Sequence, residues 1–203
     1  MQTLNVSTKR IVHWMNVIRE EKESNKYRLL ENFWESQINS KVWLINTVKR
    51  IFPDIKRNAY VFGGWYGILS QFIVDNLDVE TVYSIDKDNY CEIIGPKLSG
   101  NEKRIVFLTS EMEHFNDYVD VELIINTSTE HLNQITYDTW FDNLPKNIPI
   151  IIQGNNFFSC KEHIRCYETL EEFNNNNRLK DIIFTDVLDC IQFKRFMTIG
   201  YKR

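Results

Sequence analysis

Two features of the sequence combine residue types and spacing that suit nucleotide binding. Gly63-Gly64-Trp65-Tyr66-Gly67 follows the short apolar run 59–62. Glycines between a strand and a helix let the backbone approach a ligand closely, and the amino end of the helix favours a negative group. Asp86 ends the next apolar run, about twenty residues further on, where a carboxylate is placed to accept hydrogen bonds from ribose hydroxyls. The combination predicts a site for an adenosine-containing cofactor.

The densest polar cluster is Asn126–His131, which follows a later apolar run. Glu130 and His131 are candidate catalytic residues, because a base is needed when the nucleophile of a group transfer must lose a proton. Imidazole titrates near neutral pH and suits that task. A structural alternative stays open, in which Ser128 or Thr129 caps the following helix and Glu130 is a first-turn acid.

Amide side chains mark the end of the apolar run 148–153, at Gln153, Asn155 and Asn156. Amides at a strand end can hold a polar substrate, and loop formation by Asn and Gly explains the same residues equally well. With Ser128 they are the candidate substrate-binding residues. No His, Asp or Glu grouping has metal-ligand spacing, so we expect no metal, and no Ser or Cys lies in a nucleophile elbow.

The elements that must position these residues are short apolar runs alternating with amphipathic segments after Pro53. Such alternation predicts βαβ units and a mostly parallel sheet. Two further strand-like runs, 181–188 and 193–201, have only a short connection, so they must pair antiparallel. We therefore expect an α/β, Rossmann-like sheet of about seven strands with the last one antiparallel. Helices are predicted over residues 68–75, 88–94, 131–141 and 162–173, the second stopped by Gly95-Pro96.

The first 55 residues read as N-terminal helices. Apolar residues recur at three- and four-residue steps over 11–18 and again over 26–51. We expect one domain, 1–203, with a helical segment 1–55 and a Rossmann-like core 56–203. Three hypotheses for the aromatic residues of these helices stay open: core packing, a lid over the cofactor, or a surface through which the chain forms a homo-oligomer.

Composition indicates a globular protein and narrows the class of partner. Of 203 residues, 43% are hydrophobic and 26% are charged. A net charge of −4 and a pI near 5.6 disfavour sequence-independent nucleic-acid binding, although a local basic patch would permit it. The four cysteines form no CxxC pair, and neither a leader-like nor a membrane-length apolar run is visible. We expect reduced thiols, a cytoplasmic location and no membrane partner.

From about residue 58 to 203 the chain resembles the class I S-adenosylmethionine-dependent methyltransferases. The resemblance rests on Gly63, Gly64, Gly67, Asp86 and the terminal hairpin. The Gly-Gly-Trp-Tyr-Gly form, with Asn-Thr-Ser-Thr-Glu-His downstream, is similar to small methyltransferase-like proteins of unassigned substrate. Two departures stand out. Val61 replaces the family's acidic residue, and Trp65, which either packs in the loop or contacts the sulfonium, replaces its middle glycine.

The resemblance implies S-adenosylmethionine as the cofactor, with adenine beside the loop after the third strand. The implied cofactor-binding residues are Gly63, Gly64, Trp65, Tyr66, Gly67, Asp86, Lys87, Ser110, Glu111, Met112, Asn126 and Thr127. Methyl transfer to a small-molecule acceptor is the leading hypothesis. The alternatives are a non-methylating use of the cofactor (aminopropyl transfer, cyclisation or cleavage), a non-catalytic binding module, and a nicotinamide-dependent oxidoreductase, which the terminal hairpin disfavours.

Overall fold

The structure is a computed structural model that describes residue 4 and residues 6–203. Three helices come first: α1, Thr8–Glu20; α2, Glu23–Glu31; and α3, Glu35–Ile51. The expected single helix over 26–51 is therefore divided. The Asn32 side chain donates to the carbonyls of Arg28 and Leu29, and Trp34 is extended at ψ 144°. A side chain that satisfies carbonyls at the end of a helix competes with helix continuation, which explains why periodicity missed the break.

A seven-stranded sheet follows, in the order β3-β2-β1-β4-β5-β7-β6. Its first six strands run parallel and β7 runs antiparallel between β5 and β6. The strands are β1, Asn58–Phe62; β2, Val82–Asp86; β3, Ile105–Thr109; β4, Val121–Asn126; β5, Pro149–Asn155; β6, Lys180–Asp189; and β7, Lys194–Tyr201. The predicted fold class, a Rossmann-like sheet with a terminal antiparallel strand, is confirmed.

Four α-helices connect the strands: α4, Ile68–Asn76; α5, Asn89–Leu98; α6, Gln134–Asn143; and α7, Leu170–Asn176. Two single-turn 3₁₀ helices, Met112–His114 and Thr129–His131, lie in the loops after β3 and β4. Gly95-Pro96 does not stop α5, because burial of Ile94 and Leu98 on the sheet outweighs the hydrogen bond that a proline removes. The predicted helix over 162–173 is also wrong in its first half. Within the described residues, only the part from Leu170 onward is helical.

The core lies on both faces of the sheet. Val61 packs with the buried Leu29, Leu44 and Val48 of the N-terminal helices, whereas Phe62 packs with Trp140 on the other face. This alternation follows from the two-residue period of a strand. The N-terminal helices thus cover one face of the sheet. Within the described residues, no helix has the length and apolar character to cross a bilayer.

Candidate functional site

The loop after β1 is shaped by left-handed backbone. Gly63, Trp65 and Gly67 have φ values of +63°, +48° and +80°. Residues other than glycine adopt this left-handed region only at an energetic cost. A Cβ on Gly63 would lie 2.2 Å from Ser128 Oγ, and one on Gly67 would lie 2.5 Å from the Phe107 ring. The glycines are therefore required by close packing within the protein, and Gly63 lets the loop after β4 approach the loop after β1.

Asp86 connects the ends of β1 and β2. Its Oδ2 accepts a hydrogen bond from the backbone N–H of Trp65 at 2.9 Å, and its Oδ1 accepts one from the N–H of Asp88 at 3.1 Å. Asp86 is half-buried, and the neighbouring Lys87 is exposed. Since an ionised carboxylate has about four lone-pair sites, the two oxygens retain acceptor capacity. Asp86 thus holds the loop and stays able to bind a diol.

Trp65 and Tyr66 stack on each other, with ring centroids 5.2 Å apart and planes at 26°. Tyr66 is 1% exposed, and burial raises its pKa to about 12. Trp65 is half-buried and packs against the same core cluster as Tyr66. The structure therefore shows the packing role of Trp65, and its contact with a cofactor remains a prediction.

Helix α2 lies over this loop. Arg28 forms an ion pair with Asp88 at 2.8 Å, and its guanidinium carbon lies 5.9 Å from the centre of the Tyr66 ring. Asn25 donates to the Tyr90 hydroxyl at 2.7 Å. The hydrogen bond from Arg28 lowers the pKa of Asp88. These contacts place α2 beside the predicted cofactor loop, where a lid would lie.

The loop after β3 also reaches Asp86. The N–H of Ser110 donates to the Asp86 carbonyl at 2.9 Å, whereas Glu111 is exposed. Met112 approaches the β4 end, where its sulfur accepts a hydrogen bond from the amide of the fully buried Asn126 at 3.4 Å. The structure thus brings the predicted adenine loop, Asp86 and Asn126 to one edge of the sheet.

The residues after Asn126 are packed against neighbouring strands. The Asn126 side chain accepts from the Ser128 N–H at 3.0 Å, and Ser128 Oγ donates to the Gly63 carbonyl at 3.4 Å. Thr129 is buried, while Thr127 is half-buried. Ser128 is the N-cap residue of a single 3₁₀ turn, Thr129–His131, which has Glu130 in its first turn, but the Ser128 side chain makes no capping hydrogen bond there. The longer helix α6 is capped by Asn133, whose side chain accepts from the Thr136 N–H.

Glu130 is buried and paired. Its Oε1 accepts from Asn155 Nδ2 at 2.8 Å and lies 3.4 Å from Arg195 Nη1. Its carbonyl accepts from the N–H groups of Ile164 and Arg165. These two bonds hold the loop after β5 against the loop after β4. They also explain why the first half of the predicted helix over 162–173 does not form.

The three predicted substrate amides make protein contacts. Gln153 and Asn155 are fully buried, and Gln153 Oε1 accepts from Ser40 Oγ at 2.8 Å. Asn156 Oδ1 accepts from the Lys194 N–H at 2.6 Å. The structure therefore gives these amides positioning roles at the strand ends, and direct substrate binding by them remains a prediction.

A group that sequence spacing missed surrounds Glu130. Ligand atoms of Glu130, His131 and His163 all lie within 4.8 Å of one another. The two imidazole rings are 4.8 Å apart and nearly perpendicular. The expectation of no metal was based on spacing along the sequence, and such spacing does not reveal this cluster. No signal in the sequence joins His163 to His131, because the fold of the intervening strand and loop makes the contact.

Lys41 of α3 was also missed. Burial lowers the pKa of Lys41 to about 7, and the positive charge of Arg195 acts in the same direction. Its ammonium donates to Gln37 Oε1 at 2.8 Å. A cavity of about 250 Å³ lies between the start of α3 and the β6–β7 turn, lined by Glu35, Ser36, Asn39, Asp189, Cys190, Ile191, Gln192 and Phe193. It lies where β6 ends and β7 begins, and none of the predicted site residues lines it.

No model of a protein family matches the chain, and no curated protein matches it. Solved structures do. The N-methyltransferase NodS from Bradyrhizobium japonicum, in complex with S-adenosyl-L-homocysteine, is 10% identical with a TM-score of 0.68, over 94% of this chain and 98% of NodS. The two proteins share one fold.

Two other similar structures also contain a sulfur nucleoside. A mutant of MtNAS in complex with S-adenosylmethionine is 7% identical with a TM-score of 0.62, over 94% of this chain and 71% of MtNAS. TrmK from M. capricolum, in complex with S-adenosyl-homocysteine, is 15% identical with a TM-score of 0.55, over 79% of this chain and 69% of TrmK. At sequence identities of 7–15%, this structural similarity establishes a shared fold.

Proposed function

We propose that this chain is an S-adenosylmethionine-dependent methyltransferase with a small-molecule acceptor. The observation that carries the proposal is the position of Asp86. Its carboxylate ends β2, contacts the backbone of the β1 loop, and keeps acceptor capacity at the carboxyl edge of the sheet. Ligands of open α/β sheets bind at that edge, and NodS, which has this fold, holds S-adenosyl-L-homocysteine.

The residues at this edge fit such a cofactor. Asp86 would accept the ribose hydroxyls, the backbone of 63–67 would approach the amino-acid part, and Ser110–Met112 would lie beside adenine. Asn126 and Thr127 would bound the site from β4, and Lys87 would flank the ribose. The fit is supported by the junction of three of these loops at Asp86 and Asn126. When bound, the cofactor supplies an electrophilic methyl group.

The chain's own task in this reaction is to hold the acceptor in line with the methyl carbon and sulfur. Glu130 and His131 lie after β4, and we assign both to the acceptor side. His131 is exposed, so it is the group able to take a proton from the acceptor. Glu130 is buried against Asn155 and Arg195, so it acts by holding the loop.

A second candidate keeps the cofactor and changes the reaction. Val61 is fully buried in the apolar core, so β1 supplies no carboxylate where the resembled family has one. An aminopropyl transfer, cyclisation or cleavage would release a nucleoside other than S-adenosylhomocysteine. Chromatography of the products of a single turnover separates the two candidates, because methyl transfer alone yields S-adenosylhomocysteine.

A third candidate is a binding module that uses the N-terminal helices. α1 exposes Ile11, Val12 and Met15, and α2 exposes Tyr27 and Leu30. Apolar side chains on an outer helix face suit contact with a second copy of the chain. A stable dimer that binds no nucleoside would favour this candidate over the enzyme.

The test of the proposed function is calorimetry with S-adenosylmethionine, S-adenosylhomocysteine and NAD. We expect the two sulfur nucleosides to bind and NAD to give no heat. Binding of NAD alone would instead support the oxidoreductase hypothesis. Heat from none of the three would overturn the cofactor assignment.

A further inference from the structure

The cluster of Glu130, His131 and His163 has the dimensions of a metal site. Its ligand atoms lie within 4.8 Å of one another. Bonds of about 2.1 Å in a tetrahedral site place ligand atoms about 3.4 Å apart, so small side-chain rotations close the difference. Two imidazoles and one carboxylate that lie close together are a common ligand set for transition metals.

One oxygen of the Glu130 carboxylate is buried and, within the described part of the chain, unpaired. Asn155 and Arg195 both contact Oε1, whereas Oε2 has no hydrogen-bond partner among the described residues. Glu130 is 2% exposed. An unpaired carboxylate oxygen this deeply buried is costly, and a cation bound to Oε2 would remove that cost. Contacts to the other oxygen fix the carboxylate as metal-bound carboxylates are fixed.

The two histidines also direct nitrogens toward the same place. His131 Nδ1 lies 3.2 Å from the Glu162 carbonyl, which holds the ring and leaves Nε2 as the ligand atom. His163 Nδ1 is buried and has no partner in the described part of the chain. Metal-bound imidazoles are usually oriented by a backbone carbonyl, as His131 is by that of Glu162.

Arg195 places a positive charge beside Glu130, 3.4 Å from Oε1, and so lowers the affinity of the cluster for a cation. Imidazole nitrogens favour the later transition metals over Mg²⁺ and Ca²⁺, which prefer oxygen ligands.

We propose that Glu130 Oε2, His131 Nε2 and His163 Nδ1 bind one divalent transition-metal ion. Three protein ligands leave a coordination position open, as in catalytic metal sites. An oxygen or nitrogen atom of the acceptor would fill that position, a part of the proposal that rests on the proposed function. His131 Nε2 cannot bind the ion and also take a proton from the acceptor. If the bound ion is required, a chelator stops turnover; if His131 is the base, removing the ion frees Nε2 and raises turnover.

The experiment titrates Zn²⁺ into the full chain after dialysis against a chelator and with no nucleoside present. Calorimetry gives the stoichiometry, and proton NMR follows the four histidines of the chain. We expect one ion per chain, with the signals of His131 and His163 shifting and those of His13 and His114 unmoved. Losing a ligand should weaken binding by at least about 100-fold in His131→Gln and in His163→Gln, since changing a residue that only hydrogen-bonds to a metal ligand can already weaken binding by about that factor.

His114→Gln is the matched control, because His114 is exposed in the loop after β3 and outside the cluster. It should bind Zn²⁺ like the unchanged chain. Absence of binding would overturn the proposal, as would equal shifts of all four histidine signals or undiminished affinity in both cluster variants. Glu130→Gln, with its fold checked by circular dichroism, should lose the same binding. Calorimetry of the chelated protein with S-adenosylmethionine tests the proposed function independently of the metal.

Discussion

Replacing Asp86 with asparagine changes one oxygen of the residue on which the cofactor assignment rests. The carboxylate accepts one N–H from Trp65 and one from Asp88. An asparagine keeps only one acceptor oxygen, so one of these N–H groups would face an NH₂. Losing one such hydrogen bond costs about 1–2 kcal/mol of unfolding free energy.

The loss of cofactor affinity follows from the same arithmetic. Two ribose hydroxyls donate to an ionised carboxylate in the proposed complex, and a hydrogen bond to a charged group contributes about 1.5–3 kcal/mol. We expect Asp86→Asn to lose about 2–3 kcal/mol of binding free energy, or about 30- to 150-fold in Kd for S-adenosylmethionine.

Calorimetry measures the affinity of Asp86→Asn, and urea denaturation measures its stability. Asp78→Asn is the matched control, since Asp78 is exposed and precedes the opposite, amino end of β2. The control should bind as the unchanged chain does. Equal affinity in the two variants would refute the assignment of the ribose to Asp86. A folded Asp86→Asn that binds as tightly as the unchanged chain leaves no role for this carboxylate.

Three further predictions concern stability, each measured by urea denaturation. Gly67→Ala should cost about 2–4 kcal/mol, from left-handed backbone and the Phe107 ring 2.5 Å from the new Cβ. Gly100→Ala is the comparison: Gly100 has a similar φ of +67°, but the nearest atom to its new Cβ is 3.6 Å away, so it should cost only about 1–2 kcal/mol of unfolding free energy. Equal losses in the two variants would show that the Phe107 ring adds nothing to the cost at Gly67. Arg195→Met should cost about 3–5 kcal/mol by leaving buried Glu130 unpaired, and adding Glu130→Gln should recover part of that. Because the folded-state pKa of Lys41 lies near 7, below its ordinary 10.5, the unfolded chain binds more protons between these values, so stability should rise with pH there. Lys41→Met should flatten this rise in stability with pH. Lys49→Met is the control, because Lys49 is an exposed lysine of the same helix, and it should keep the rise. An unchanged slope in Lys41→Met would exclude Lys41 as the cause of the pH dependence.

Much of the fold could be predicted from the sequence because the signals are local. Apolar runs of strand length, separated by helical segments, predict parallel pairing, and the short link between 181–188 and 193–201 requires an antiparallel pair. The structure has this arrangement. Local signals failed where side chains redirect the backbone. Asn32 ends α2 inside a continuous helical pattern, and the Glu130 carbonyl binds the N–H groups of Ile164 and Arg165 in a segment predicted as helix.

For the candidate site, the sequence by itself determined the glycine loop, Asp86 and the polar segment after β4. Each of these follows directly from a strand end, and parallel strands bring their carboxyl ends to one edge. Only the tertiary structure decided that Gln153 and Asn155 are buried, that Lys41 is desolvated, and that His163 meets His131. These properties depend on contacts between residues far apart in the chain, and no periodicity along the sequence encodes such contacts.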